Sequence, residues 1–342
     1  MKRMIVDRQI VKNNLAVVRK RADGAELYAV LKYNAYGLGL REMAKLLREN
    51  GVSRFAVTEP EEAKVLRDSG FVEEEILMLR STADRNELET LLDLNVICTI
   101  GSNDAAVALN GIAEQRGTVA SVHLKLDTGA GGYGMLPSEK DKIVAVYRYM
   151  ANIAVVGIYT DLLYGSNKQW ENQMQLFDDT IKYITVAGFD VGIVHTCCSR
   201  ALMKFGPRDI DGFCVGSALF RSLREREATS LRNAAWAECS VDEIRWVPKG
   251  YSLDGKRKAK HAMRVAVLPI GRYHGCFSEE KQGLFRRRKF SVRLNGIRVS
   301  VIGYPAMQYT IVDVTGVNCV AGDIMQIPLD PIFAKDLPVT YV

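Results

Sequence analysis

The chain has 342 residues, 48% hydrophobic and 25% charged, with a net charge of +6; this is the composition of an ordinary globular protein, long enough for two domains or one large barrel with an appendage. The modest positive charge favours anionic small molecules but does not describe a nucleic-acid binder, and no run approaches the ~18 apolar residues of a membrane span. Seven cysteines, an odd number without a Cys-x-x-Cys pair, and only four histidines predict reduced thiols, a cytoplasmic protein and no metal site.

In chain order, the opening Met1 to Asp7 lacks the apolar core of a signal peptide. From about residue 26 to 221, strand-like and helix-like runs alternate. The strand candidates are 27–31, 54–57, 75–79, 96–99, 121–127, 153–159, 192–195 and 213–219. Apolar spacing such as Leu40, Met43, Ala44, Leu47 marks the helices between them. Eight such units predict an α/β fold, a (β/α)8 TIM-type barrel. After Arg221 the pattern becomes short strands: 238–247, 264–269, 290–294, 298–302, 310–314 and 323–327, with Asn295-Gly296 as a hairpin turn. The predicted domains are therefore an N-terminal strand within 1–10 that joins the β-domain, the barrel at 11–222, and a C-terminal all-β domain at 223–342. The basic run Arg286-Arg287-Arg288-Lys289 reads as a solvated hairpin face.

In a barrel of this kind chemistry sits at the C-terminal ends of the strands. That rule selects Lys32 and Tyr36, Lys125 and Asp127, Asp161, His195 and Ser199, and Cys214 with Gly216 and Ser217. The loops after strands seven and eight are the usual phosphate site, and Ser199, Gly216 and Ser217 offer hydroxyls and backbone N–H groups there. A strand-end lysine facing a phosphate site suggests pyridoxal 5'-phosphate held as a Schiff base. A weaker rival is Gly129-Ala130-Gly131-Gly132-Tyr133-Gly134, which matches the G-x-G-x-x-G of dinucleotide sites but follows the fifth strand rather than the first.

The run Ala29-Val30-Leu31-Lys32-Tyr33-Asn34-Ala35-Tyr36-Gly37-Leu38-Gly39 resembles the A-V-x-K-A-[ND]-A-Y-G-x-G signature of the alanine racemase family, the fold-type III pyridoxal-phosphate enzymes. Leu124 to Gly131 resembles that family's L-K-[VI]-D-T-G-M-G, and Val267 to Gly271 its P-[IV]-G-Y strand. Asn295-Gly296, Ile302-Gly303, Met307 and Val312-Asp313-Val314 resemble its C-terminal stretch. The resemblance implies a barrel followed by a β-domain, with Lys32 as cofactor lysine and one of two bases. It implies phosphate contacts from Tyr36, Ser199, Gly216, Ser217 and Tyr341. Met307 and Lys125 fall at the substrate side, Lys125 resembling a lysine carbamylated in some members. It also implies a homodimer that shares its active site and takes a small amino acid.

The catalytic positions depart from the family pattern. The second base, a tyrosine, falls on Leu253 within the shortened Lys249 to Lys256 segment. The arginine at the pyridine nitrogen falls on Cys214, the histidine supporting it on Asp161, and the arginine of D-T-G-M-G-R on Gly132. The Y-x-D-G after P-I-G is Arg272-Tyr273-His274-Gly275, and the M-D pair is Met307-Gln308. Tyr251 and His274 are the side chains a repositioned second base would use, though neither has the family's spacing. Three readings follow: an amino-acid racemase whose substrate need not be alanine; another pyridoxal-phosphate reaction (decarboxylation, retro-aldol cleavage or transamination); or a non-catalytic cofactor-binding homologue.

Overall fold

Runs such as Phe55-Ala56-Val57 and Ile76-Leu77-Met78 are apolar at every position and fully buried. A strand covered on both faces belongs to a parallel sheet flanked by helices. In the computed structural model, which describes residues 1–163, 165–207, 210–223, 228–253, 258–277 and 290–342, these strands close into a barrel. After β1 (Lys2–Val6) come the barrel strands β2 (Glu26–Val30), β3 (Arg54–Val57), β4 (Glu75–Ser81), β5 (Ile97–Ile100), β6 (Ala120–Leu126), β7 (Ile153–Asp161), β8 (Ile193–Cys197) and β9 (Gly212–Val215). Each pairs in parallel with the next, and β9 closes on β2 through Tyr28 and Cys214.

The connecting helices form for local reasons. Leu40–Glu49 buries Leu40, Met43, Ala44, Leu46 and Leu47 on one side. The helices from Arg85, Asn103 and Asn167 start behind Asp84, Ser102 and Ser166, whose side chains accept the backbone N–H three residues on. The last strand is shorter than the run 213–219 suggests: it stops at Val215, and Ser217–Phe220 is a short helix that buries Ala218, Leu219 and Phe220. Apolar residues over so short a run do not distinguish strand from helix.

The described residues divide into two compact units, Val11–Arg232 and Met1–Ile10 with Asn233–Val342. In the second unit β1 is joined by β10 (Ala235–Ser240), β11 (Glu243–Val247), β12 (Met263–Leu268), β13 (Ser291–Leu294), β14 (Ile297–Val301), β15 (Thr310–Asp313), β16 (Ile324–Ile327) and β17 (Val339–Tyr341). They form one sheet in the order β11-β12-β15-β14-β13-β16-β10-β1-β17. Alternate residues such as Ala266 and Leu268, Val292 and Leu294, and Met325 and Ile327 fill its core. The run 238–247 is two strands, because the chain changes partner at Val241-Asp242: β10 pairs with β1 and β16, β11 with β12. The basic run at 286–289 lies outside the described residues.

Candidate active site

Lys32 stands one residue past the end of β2, separated from Val30 by Leu31, whose N–H donates to Ala56 O at 2.8 Å. The next four residues all have positive φ: Tyr33 +54°, Asn34 +56°, Ala35 +53° and Tyr36 +57°. This is one turn of left-handed helix made without glycine. It costs about 1–2 kcal/mol per residue relative to right-handed backbone. Its surroundings hold it in place. Ala35 N–H donates to Leu31 O, Asn34 Oδ1 accepts from Leu40 N at 2.8 Å, and Glu62 Oε1 accepts from Tyr33 N. The Ala35 methyl group is fully buried. Strain retained against such a cost is a mark of functional segments. The turn leaves Lys32 half-buried, with Nζ 5.6 Å from the Tyr33 ring centre.

The same turn sends Tyr36 to Gly216. A Cβ built on Gly216 would lie 2.0 Å from Tyr36 Oη, so only glycine admits the phenol there. Burial raises the Tyr36 phenol above its usual range, which keeps it a hydroxyl donor. Buried Ser199 Oγ accepts N–H groups of Gly216 at 3.1 Å and Ala218 at 3.3 Å, tying the loops after β8 and β9 together. Tyr36, Ser199, Gly216 and Ser217 thus come to one place. Hydroxyls and backbone N–H groups at the start of a helix are the donor set that receives a phosphate.

Beneath them the barrel interior is polar. His195 is fully buried, its ring stacked between Tyr159 and Tyr28 at centre distances of 4.7 and 5.0 Å. Its Nε2 lies 2.8 Å from His123 Nδ1, and its Nδ1 3.3 Å from Cys214 Sγ. Burial, His123 and Lys125 hold the His195 imidazole well below its usual range, so it is neutral. Tyr159 Oη bonds Thr99 Oγ1 at 2.9 Å and donates to Leu79 O at 3.1 Å. Asp161, Cys197 and Cys214 lie in one row across β7, β8 and β9. Asp161 is committed to an ion pair with Lys125, Oδ2 to Nζ 2.6 Å, in which the lysine side chain is 4% exposed.

The glycine-rich loop after β6 does not cradle a ligand. Asp127 Oδ1 accepts the N–H groups of Gly129, Ala130 and Gly131 at 2.9, 2.7 and 3.1 Å, the donors a pyrophosphate would need. No helix follows until Lys140–Tyr149. The dinucleotide reading fails on both counts.

The remaining candidates belong to the other unit. Leu253 packs with Val247, Ala259, Met263 and Val265, where a side chain without a titratable group cannot move a proton. Tyr251 is exposed, whereas His274 is buried with Nε2 2.8 Å from Lys2 Nζ. Met307 is exposed. Tyr341 ends β17 in register with Val6, its ring 5.5 Å from the Arg8 guanidinium carbon.

Sequence reasoning passed over Cys197, His123 and Tyr159. The available signal was the period of two on a strand, which puts His195 with Cys197, and His123 with Lys125, on one face. A cleft of about 460 Å³ opens at the opposite end of the barrel, beside Glu75, Ile97 and Ser121. None of the strand-end candidates lines it.

The barrel side chains suit pyridoxal phosphate: a primary amine just past β2, a cluster of hydroxyls after β8 and β9 that a phosphate would fit, and a thiol–imidazole pair where the resemblance puts the ring nitrogen. Residues 6–223 match the family model described as alanine racemase, N-terminal domain. An alanine racemase of Methanococcus maripaludis is 28% identical, covering 97% of this chain and 88% of its own. One from Clostridium perfringens is 28% identical over 92% of this chain and 82% of its own. The fold matches the crystal structure of alanine racemase from Streptomyces lavendulae with a TM-score of 0.87 at 21% identity, covering all of this chain and 97% of that one.

Proposed function

Because this chain belongs to the alanine racemase family, we propose that it is a pyridoxal-phosphate-dependent amino-acid racemase working as a homodimer whose two chains share the active site. Its substrate is a small amino acid that need not be alanine. The observation that carries this reading is the convergence of Tyr36 Oη, Ser199 Oγ and Gly216, joined to Lys32 by the left-handed turn. Bound pyridoxal phosphate would supply the electron sink for the charge left at Cα when its proton departs. Tyr36, Ser199 and Ser217 would hold the phosphate, with Gly216 making room for the Tyr36 phenol while its own N–H is donated to Ser199 Oγ. Lys32 Nζ would anchor the carbonyl carbon of the cofactor and move the proton at Cα on one face. Cys214 Sγ, backed by His195 Nδ1, would serve the ring nitrogen. A thiol can exchange a proton there, which an arginine cannot.

Racemisation needs a second group on the opposite face. We assign it to Tyr251, exposed two residues from Leu253, and supplied by the partner chain. Tyr251→Phe should lower racemisation about 10²–10⁴-fold while leaving single-face exchange of the Cα proton intact.

The test is incubation of the cofactor-loaded protein in D2O with each proteinogenic amino acid and ornithine, followed by chiral chromatography and mass spectrometry. Inversion of one amino acid with deuterium at Cα is expected. Lys32→Ala should abolish turnover and the borohydride-fixed cofactor adduct. Products without Cα deuterium would overturn the racemase reading. Sedimentation should give twice the 38.1 kDa chain mass. The apolar seat of Leu253 favours one second reading, a pyridoxal-phosphate reaction that needs proton transfer on one face only. Release of CO2 or an aldehyde in the same assay would identify it.

A further inference from the structure

We propose that His195, Cys197 and Cys214 form a binding site for a zinc-class divalent ion at the C-terminal ends of β8 and β9. Parallel pairing sets Cys197 opposite Cys214. The strand period of two puts His195 on the same face as Cys197. A ring nitrogen of His195 and the two Sγ atoms all lie within 4.8 Å of one another, and one edge, Cys214 Sγ to His195 Nδ1, is 3.3 Å. Zinc bonds of about 2.3 Å to sulfur and about 2.0 Å to nitrogen imply tetrahedral edges of roughly 3.5–4 Å. Small side-chain shifts would therefore close the three donors on one ion.

The donor set is soft to borderline, two thiols and an imidazole, which selects zinc over magnesium or calcium. The support behind it is of the kind metal sites carry. His123 Nδ1 lies 2.8 Å from His195 Nε2. With Nε2 donating to His123, His195 presents a bare Nδ1 toward the cysteines. The stacked rings of Tyr28 and Tyr159 fix the imidazole plane. Asp161 neighbours Cys197 but is held by Lys125, so the fourth position stays open to water or an added ligand. Binding replaces two S–H bonds by two metal–sulfur bonds and releases two protons to solvent; the imidazole binds neutral. The site does not rest on Lys32; it uses the Cys214 Sγ and His195 Nδ1 that the proposed function gives to the cofactor's ring nitrogen, so ion and ring nitrogen are alternative occupants of these atoms and bound cofactor should weaken the ion's binding.

The test is titration of the reduced full-length protein, with and without pyridoxal phosphate, first with cobalt(II) and then with zinc as competitor. One equivalent of cobalt should bind the cofactor-free protein with a sulfur-to-cobalt charge-transfer band and release of two protons per ion, and zinc should then displace it with loss of the band and no further proton release. Cys197→Ser and Cys214→Ser should each weaken binding at least tenfold. Cys198→Ser and Lys32→Ala should leave it unchanged; retained binding in Lys32→Ala separates this site from the fate of the racemase reading. On the unmodified protein, zinc should protect Cys197 and Cys214 from alkylation, mapped by peptide mass spectrometry, so the outcome does not depend on the variants folding. Absence of stoichiometric binding, or a charge-transfer band kept in the Cys197→Ser/Cys214→Ser variant, would overturn the proposal.

Discussion

Gly216 has no room for a methyl group, since a Cβ would stand 2.0 Å from Tyr36 Oη. Gly216→Ala must push the phenol out of the proposed phosphate site. Pyridoxal-phosphate affinity, read by equilibrium dialysis, should fall roughly 10–100-fold, the loss of one hydrogen bond to a charged group. Asp161 makes a different kind of contact. Asp161→Asn would leave the Lys125 ammonium, 4% exposed, without its carboxylate. Breaking a fully buried pair costs about 3–5 kcal/mol, and the 42% exposure of Asp161 lowers that to about 1–3 kcal/mol. Urea unfolding should show this loss, and Lys125→Met in the same chain should recover part of it. At this scale the strand-end rule singled out Tyr36, Ser199 and Gly216, which the fold brings together. It could not reveal that Asp161 is already paired, because the pairing depends on the register of β6 against β7.

At the scale of elements, the turn from Lys32 to Tyr36 is the least expected feature. Its sequence marks only a strand end, yet it is a left-handed helical turn running from Tyr33 to Tyr36. Asn34 contributes twice, by tolerating positive φ and by capping Leu40 N–H. Asn34→Asp keeps both properties and should change stability little. Asn34→Val removes both and should cost about 2–3 kcal/mol in chemical denaturation, with weaker cofactor binding because Tyr36 loses its seat. The glycine-rich loop after β6 makes the complementary point. Its motif suggested a nucleotide, but three residues of its backbone are consumed by Asp127. A motif records which donors exist; the fold decides whether they are free.

At the scale of the whole molecule, acid should loosen the β unit. His274 is buried, and its desolvation and the Lys2 ammonium hold its imidazole below the usual range, against a weaker opposing effect of Asp336. Its neutral form is the folded one, so its contribution to stability is present above the unfolded value of about 6.5 and is lost as pH falls below it. Between pH 7 and 5 the wild-type chain should lose more unfolding free energy than His274→Asn, measured by urea titration at each pH. The barrel and the β unit were legible in the sequence because buried parallel strands are apolar throughout and half-buried antiparallel ones alternate; these are local consequences of burial. The sequence by itself also determined that Lys32, Tyr36, Ser199 and Gly216 stand at or just past strand ends, since the strands' apolar runs stop beside them. Only the tertiary structure decided that Cys197 meets Cys214 and His195, that Asp161 is spent on Lys125, and that Leu253 sits in an apolar cluster. Those facts depend on which residues face each other across neighbouring strands, and hydrogen-bond register between segments distant in sequence leaves no mark on either one alone.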